Sequence, residues 1–259
     1  MPSPTGNLRH KPLNVPQLSS LLSRPLTIIG HRGARGLAPE NTLLALDTGI
    51  RNGAQWLEFD VQRCPGGKLV LLHDLTLDRT TNGHGTLADH SFDALRALDA
   101  GQGQQIPTLE EALNMIEQRA GVNIELKSAD GTAEAVAAVL QQYIMMAGWP
   151  AERFLVSSFH LPELWEFKQF APEIPVAALL CGVPLDWAGS AVELGAAALN
   201  LSAEFVDPRL IEDAKKHGMK VYVYTVNDVA EADHFARLGV DGIFTDFPDR
   251  MLEAQRHLR

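Results

Sequence analysis

The sequence predicts an α/β chain: a (β/α)₈ TIM barrel with an added antiparallel hairpin strand and a small insertion at the barrel mouth. Three observations carry this expectation. From Leu26 onward, apolar runs of strand length alternate with amphipathic stretches of helix length. Eight of the runs are spaced as strand–helix units, and eight such units in one sheet predict closure. The remaining run follows its predecessor across little more than Arg63-Cys64-Pro65-Gly66-Gly67, too few residues for a parallel crossover, so that pair must form a hairpin. A doubly wound open sheet is the alternative arrangement.

Taken in order, residues 1–24 read as a polar lead-in with a short helix over 17–22, and residues 25–259 as one barrel domain. Strands are expected at 26–31, 56–61, 69–73, 122–127, 154–159, 176–180, 197–201, 221–226 and 242–245. The clearest helical stretches are 109–119, 133–147 and 208–217, the first opened by Thr108 and Glu111 at capping-box spacing. Residues 75–107 are too long for a plain loop, and their turn-rich start and short helical piece at 93–98 read as an insertion at the mouth.

Composition narrows the function. The chain has 259 residues, 46% of them hydrophobic, enough for a sizeable core. A net charge of -10 argues against a nucleic-acid partner. An anionic substrate would then need a local reversal of field, from clustered cations or a metal. The only cysteines, Cys64 and Cys181, read as ordinary thiols. No apolar run reaches signal-peptide or membrane-spanning length, so the expectations are a cytoplasmic location and no stable membrane anchor. A homodimer is left open.

Alternate side chains of a barrel strand point inward. In Trp56-Leu57-Glu58-Phe59-Asp60-Val61 the apolar face is Leu57, Phe59 and Val61, so Glu58 and Asp60 face the interior. Asn123-Ile124-Glu125-Leu126-Lys127 aims Glu125 and Lys127 the same way. Like charges in a low-dielectric interior need a cation or protons, and a set of carboxylate oxygens suits Mg²⁺ or Ca²⁺. A salt-bridge network with Lys127 and Arg32 is the structural alternative. His31 ends the first strand and His73 the returning hairpin strand. Together they form an acid/base pair for phosphoester cleavage, with Arg32 and Lys127 as partners for phosphate oxygens.

These residues sit in an ordered set of motifs. Gly30-His31-Arg32-Gly33 is followed by Ala38-Pro39-Glu40-Asn41-Thr42, then Glu58-Phe59-Asp60-Val61, His73-Asp74 and Asp78-Arg79-Thr80-Thr81-Asn82-Gly83. Asn123-Ile124-Glu125-Leu126-Lys127, Tyr224-Thr225-Val226-Asn227 and Gly242-Ile243-Phe244-Thr245-Asp246 complete it. The set resembles the glycerophosphodiester phosphodiesterases, in particular their small cytoplasmic bacterial members, over nearly all of the chain after Leu26. The resemblance implies hydrolysis of a small-molecule glycerophosphodiester to sn-glycerol 3-phosphate and an alcohol. It implies Glu58, Asp60 and Glu125 as ligands of Mg²⁺ or Ca²⁺, His31 and His73 as acid and base, and Arg32 and Lys127 beside the phosphate. Glu40 and Asn41 are expected to organise the first loop.

Three departures from the pattern stand out. Cys64-Pro65-Gly66-Gly67 replaces a charged hairpin turn, Leu46 replaces a common aromatic, and Tyr224, expected on the substrate wall, stands where many members carry Trp. Rival readings are a phospholipase D-like enzyme on lysolipid diesters, a catalytically silent phosphodiester-binding module and an unrelated metal-dependent barrel enzyme. The first would require an exposed apolar rim at the mouth. Leu75, Leu77 and Leu87 are scattered among polar residues and do not predict one.

Overall fold

In the computed structural model, which describes residues 21–127 and 131–258, the expected alternation is present and the sheet closes on itself. The chain runs through β1 (Thr27–Gly30), α1 (Leu43–Arg51), β2 (Trp56–Arg63), β3 (Leu69–Leu71), α2 (Phe92–Arg96) and α3 (Leu109–Ile116). It continues through β4 (Gly121–Leu126), α4 (Thr132–Ala147), β5 (Phe154–Ser158), α5 (Leu161–Phe170), β6 (Val176–Leu180) and α6 (Gly189–Leu194). β7 (Ala198–Ser202), α7 (Pro208–Lys216), β8 (Lys220–Tyr224), α8 (Val229–Leu238), β9 (Gly242–Thr245) and α9 (Pro248–Ala254) complete it. Every pairing around the ring is parallel, and β9 returns to β1 with Gly30 opposite Thr245.

β3 lies outside the ring, antiparallel to the end of β2, with Val61 opposite Leu71 and Arg63 opposite Leu69. One further ladder bond, Leu72 N–H to the Asp60 carbonyl at 3.1 Å, brings His73 back beside the carboxylates of β2. The short helix expected over 17–22 lies outside the described residues except for Leu21 and Leu22. Leu22 is buried, and its N–H donates to the Ala254 carbonyl.

Local chemistry explains most element ends. Thr42, Asp207 and Asp228 cap α1, α7 and α8 through side-chain oxygens, and Thr108 and Glu111 form the expected reciprocal box at α3. α3 stops at Ile116, before the expected Arg119, because Glu117 and Gln118 adopt left-handed backbone, with φ of 48° and 60°. The insertion has a core of its own. Leu77, Leu87, Leu95 and Ile106 pack against Val70 and Leu72 of the hairpin, so Leu77 and Leu87 are interior residues and only Leu75 is exposed.

Inside the barrel, side chains stack in tiers. Leu155, Ala177 and Ala198, with Trp56 and Tyr222 against them, plug the lower end. Above the plug sit Glu58, Asn123, Ser157, Asn200 and Phe244, where Asn123 Nδ2 donates to Ser157 Oγ at 2.7 Å. The site therefore opens at the C-terminal ends of the strands.

Candidate active site

β1 ends at Gly30, and His31, Arg32 and Arg35 of the turn that follows line one wall of the site. A Cβ at Gly30 would strike the Gly33 carbonyl, and Gly33 itself has φ of 87° against the backbone of Ala45 in α1. These are turn and close-approach positions. Arg32 and Asn41 also adopt left-handed backbone (φ 50° and 56°), a conformation that costs non-glycine residues energy. Hydrogen bonds hold both in place. Arg32 N–H donates to Glu58 Oε2 at 2.8 Å and its Nη1 to Glu40 Oε1 at 2.6 Å. Asn41 Nδ2 donates to Asp60 Oδ2 at 2.8 Å, while its Oδ1 accepts from the Asp60 N–H at 3.1 Å. Glu40 and Asn41 thus tie the first loop to both the cationic and the anionic side.

Glu58, Asp60 and Glu125 are buried, and one oxygen from each lies within 4.8 Å of the others. Lys127 Nζ sits 3.1 Å from Asp60 Oδ1 and also pairs with Glu125 Oε1, and Arg32 Nε lies 3.4 Å from Asp60 Oδ2. The ion-pair network weighed for these residues is therefore present. It does not balance the cluster. Burial, then repulsion from Asp60 and Glu125, pushes the Glu58 carboxyl well above its usual range, and its Oε1 has no partner among the described residues. Burial, then Asp60, pushes Glu125 up to about 7. Burial would raise Asp60 too, but Lys127 and Arg32 outweigh it and hold that carboxyl low. An all-oxygen donor set, an orphaned buried oxygen and a surplus of negative charge fit a hard divalent cation.

Both histidines face this cluster from the cavity wall. His31 Nδ1 lies 2.7 Å from Asp246 Oδ1, and His73 Nδ1 lies 2.6 Å from Asp74 Oδ1. Burial lowers the pKa of each imidazole, against the raising effect of its carboxylate partner, and so favours the neutral ring. Asp74 is gripped by Arg79, which also donates to both oxygens of Glu40, so a charged chain connects His73 to Arg32.

Sequence reasoning quoted Asp74, Arg79, Asn227 and Asp246 as motif letters without roles, and it passed over Arg35. The signal for Asp246 was available in principle, since a closed barrel sets the end of the last strand beside the end of the first.

The remaining wall is largely aromatic, with the uncharged polar residues Ser157, Asn200 and Thr225 also lining the cavity. Phe159, Tyr224 and Phe244 meet edge to face, with centroids 6.0 and 6.3 Å apart. Tyr224 Oη donates to the Leu180 carbonyl at 2.9 Å, so this residue offers the cavity its ring and not its hydroxyl. The cavity holds about 210 Å³ and is lined by His31, Arg32, Glu58, His73, Glu125 and Lys127 on one side and the aromatic residues on the other. Apolar side chains other than the leucines of the insertion are exposed on the loops after β5, β6 and β7: Phe159 (48% exposed), which lines the cavity, Val183, Leu185 (fully exposed) and Phe205.

The model of the glycerophosphoryl diester phosphodiesterase family matches residues 31–250. A glycerophosphodiester phosphodiesterase of Caldanaerobacter subterraneus is 34% identical over 242 residues, 88% of this chain and 97% of that enzyme. One from Bacillus subtilis is 32% identical, covering 92% and 89%. Among solved structures, an Oleispira antarctica phosphodiesterase in complex with the product sn-glycerol-3-phosphate superposes with a TM-score of 0.81 at 35% identity, covering 89% of this chain and 96% of that one. No helix among the described residues is long and apolar enough to cross a membrane. Matched by the family model over most of its length and more than 30% identical to such enzymes along nearly all of it, the chain belongs to the glycerophosphoryl diester phosphodiesterase family.

Proposed function

We propose that the chain hydrolyses glycerophosphodiesters to sn-glycerol 3-phosphate and an alcohol, with His31 and His73 as acid and base and with Mg²⁺ or Ca²⁺ held by Glu58, Asp60 and Glu125. One observation carries this reading: two carboxylate-tethered imidazoles and two cationic side chains converge on one buried, charge-surplus carboxylate cluster in a single cavity. When bound, the divalent cation supplies positive charge against the negative charge that builds on the phosphoryl oxygens.

The protein's own groups do the rest. Arg32 and Lys127 hold the non-bridging oxygens and set the phosphorus between the two rings. Each ring has Nδ1 committed to a carboxylate, so Nε2 is the atom left for the substrate. One Nε2 takes the proton of the attacking hydroxyl as the new P–O bond forms, and the other ring, in its protonated form, gives its Nε2 proton to the oxygen of the departing alcohol as the old bond breaks. If water attacks, this yields glycerol 3-phosphate directly; if a hydroxyl of the glycerol arm attacks, it yields a cyclic phosphate that water opens in a second step, with the two rings exchanging roles. The aromatic wall shields the reacting centre and receives the alcohol. On this reading the chain works in the cytoplasm on a small-molecule diester, as one barrel domain spanning 25–259 with its insertion over 75–107.

The test is release of glycerol 3-phosphate from glycerophosphocholine in EDTA, then with added Mg²⁺ or Ca²⁺. Release restored by metal is the expected result, and no release with any metal or head group would overturn the reading. A second reading, a diester with a lipid arm, is favoured by the exposed Phe159, Val183, Leu185 and Phe205 at the mouth. Faster turnover of lysophosphatidylcholine than of glycerophosphocholine would select it.

A further inference from the structure

We propose that Asp246 is a positioning residue for the reaction: clamped by Arg35 and Asn227, it holds the His31 ring with Nδ1 turned into the barrel wall and Nε2 turned to the substrate. This inference rests on the acid/base reading of His31.

The placement follows from barrel closure. Gly30 at the end of β1 lies opposite Thr245 at the end of β9, so His31 and Asp246, each the next residue, leave the sheet side by side although 215 positions separate them. The His31 N–H donates to the Thr245 carbonyl at 2.9 Å, and the Gly36 N–H donates to the Asp246 carbonyl at 3.1 Å. The two strand ends are thereby stitched together on both sides of the imidazole.

The carboxylate itself has little freedom. Oδ1 accepts from Arg35 Nε at 2.7 Å as well as meeting His31 Nδ1 at 2.7 Å, and Oδ2 accepts from Asn227 Nδ2 at 2.8 Å. Asn227 is fixed in turn, because its Oδ1 accepts from the Asp246 N–H at 2.8 Å and from Thr245 Oγ1 at 3.1 Å. A carboxylate pinned at both oxygens cannot follow the ring if it rotates. It therefore selects one ring orientation and the tautomer that carries its proton on Nδ1. His73 is framed more locally, although Asp74 too is held at both oxygens. Its partner Asp74 is the adjacent residue in the chain and is braced by Arg79, which is half exposed. Of the two imidazoles, His31 is the one whose orientation depends on a distant part of the fold.

A mutant cycle tests this, with turnover of glycerophosphocholine measured in saturating Mg²⁺ and folding checked by thermal unfolding. Asp246→Asn keeps the shape but turns either an amide donor or a weak acceptor toward Nδ1. Turnover is expected to fall by about 10²-fold or more with KM nearly unchanged. Placed on a His31→Ala background, the same substitution is expected to cost nothing further, because the group through which it acts is gone. Asn227→Ala, which leaves every charge in place, supplies the same comparison if Asp246→Asn does not fold, with a smaller loss that also vanishes without His31.

Equal losses with and without His31 would overturn the inference and leave Asp246 as a stabilising residue only. Near-normal turnover in Asp246→Asn, with His31→Ala impaired, would also overturn it while leaving the acid/base reading intact. Near-normal turnover in His31→Ala would remove that reading and this inference with it.

Discussion

Glu40→Gln removes one negative charge from between two guanidinium groups while keeping the length and shape of the side chain. Glu40 Oε1 accepts from Arg32 Nη1 at 2.6 Å and from Arg79 Nη2 at 2.8 Å, and Oε2 accepts from Arg79 Nη1 at 2.8 Å. Burial works to raise this carboxyl, but Arg79 and Arg32 outweigh it and bring it from its usual 4.5 down to about 2. At about 1.4 kcal/mol per pH unit the drop corresponds to ~3 kcal/mol. Arg79 is 46% exposed, so solvent screens part of it, and ~2 kcal/mol is the figure to expect. The pKa is depressed on folding. The contribution is therefore complete above pH 4.5 and is lost as the pH falls toward 2, with more than half gone by about pH 3.

Urea unfolding of both proteins in EDTA, at pH 7 and at about pH 3, reads the effect directly. The variant should be less stable by ~2 kcal/mol at the higher pH and by under ~1 kcal/mol at the lower. An equal gap at both values, or none at pH 7, would show that Glu40 does not couple the two arginines.

Three further outcomes are expected. Glu125→Ala should abolish both turnover and the thermal stabilisation given by Mg²⁺ or Ca²⁺, which for the unsubstituted chain is ~2.7 kcal/mol at a hundredfold excess over Kd; metal-dependent stabilisation that survives would remove Glu125 from the ligand set. His73→Ala should keep that stabilisation and lose about 10²-fold or more in turnover, and near-normal turnover would take His73 out of the chemistry. Gly36→Ala should cost ~1–3 kcal/mol in chemical unfolding, because its Cβ would meet the Phe247 ring, over which the Arg250 guanidinium stacks at 3.7 Å. A cost below ~0.5 kcal/mol would show that this ring yields freely.

What the sequence disclosed depended on the range of the interaction concerned. Strand alternation is local, so the inward aim of Glu58, Asp60, Glu125 and Lys127 could be read from six-residue windows, and each of these residues reaches the cluster or its cavity. The hairpin was legible because so few residues fix its geometry. Helix ends were less so: nothing in Glu117 or Gln118 announces left-handed backbone, and α3 stops early there. Contacts that depend on closure were not legible from any local window and could be inferred only from the closed barrel itself. Asp246 meets His31 and Arg35 only because β9 docks on β1, and no local window contains both partners. The exposed apolar residues on the later loops were missed for a related reason. Leu75, Leu77 and Leu87 were judged together because they are near in sequence, while Phe159, Val183, Leu185 and Phe205 come from three successive loops of a closed ring.

That ring also divides the site into two halves with different chemistry. The elements from β1 through β4 supply the histidines, Arg32, Lys127 and the three carboxylates, whereas β5, β8 and β9 lead into Phe159, Tyr224 and Phe244. A diester's phosphate has charged partners only in the first half, so on the proposed reading its second alcohol must lie along the second. Reaction class and head-group preference then rest on separate sets of residues. The exchange of Trp for Tyr224 falls in the second set, and because its hydroxyl is spent on the Leu180 carbonyl, the exchange trims an aromatic surface without adding a polar group to the cavity. A chain with a net charge of -10 needs this division more than a basic one would. Its long-range field repels an anionic substrate, so the positive groups have to be concentrated where the phosphate sits, and little more than shape and apolar contact is left to recognise the rest.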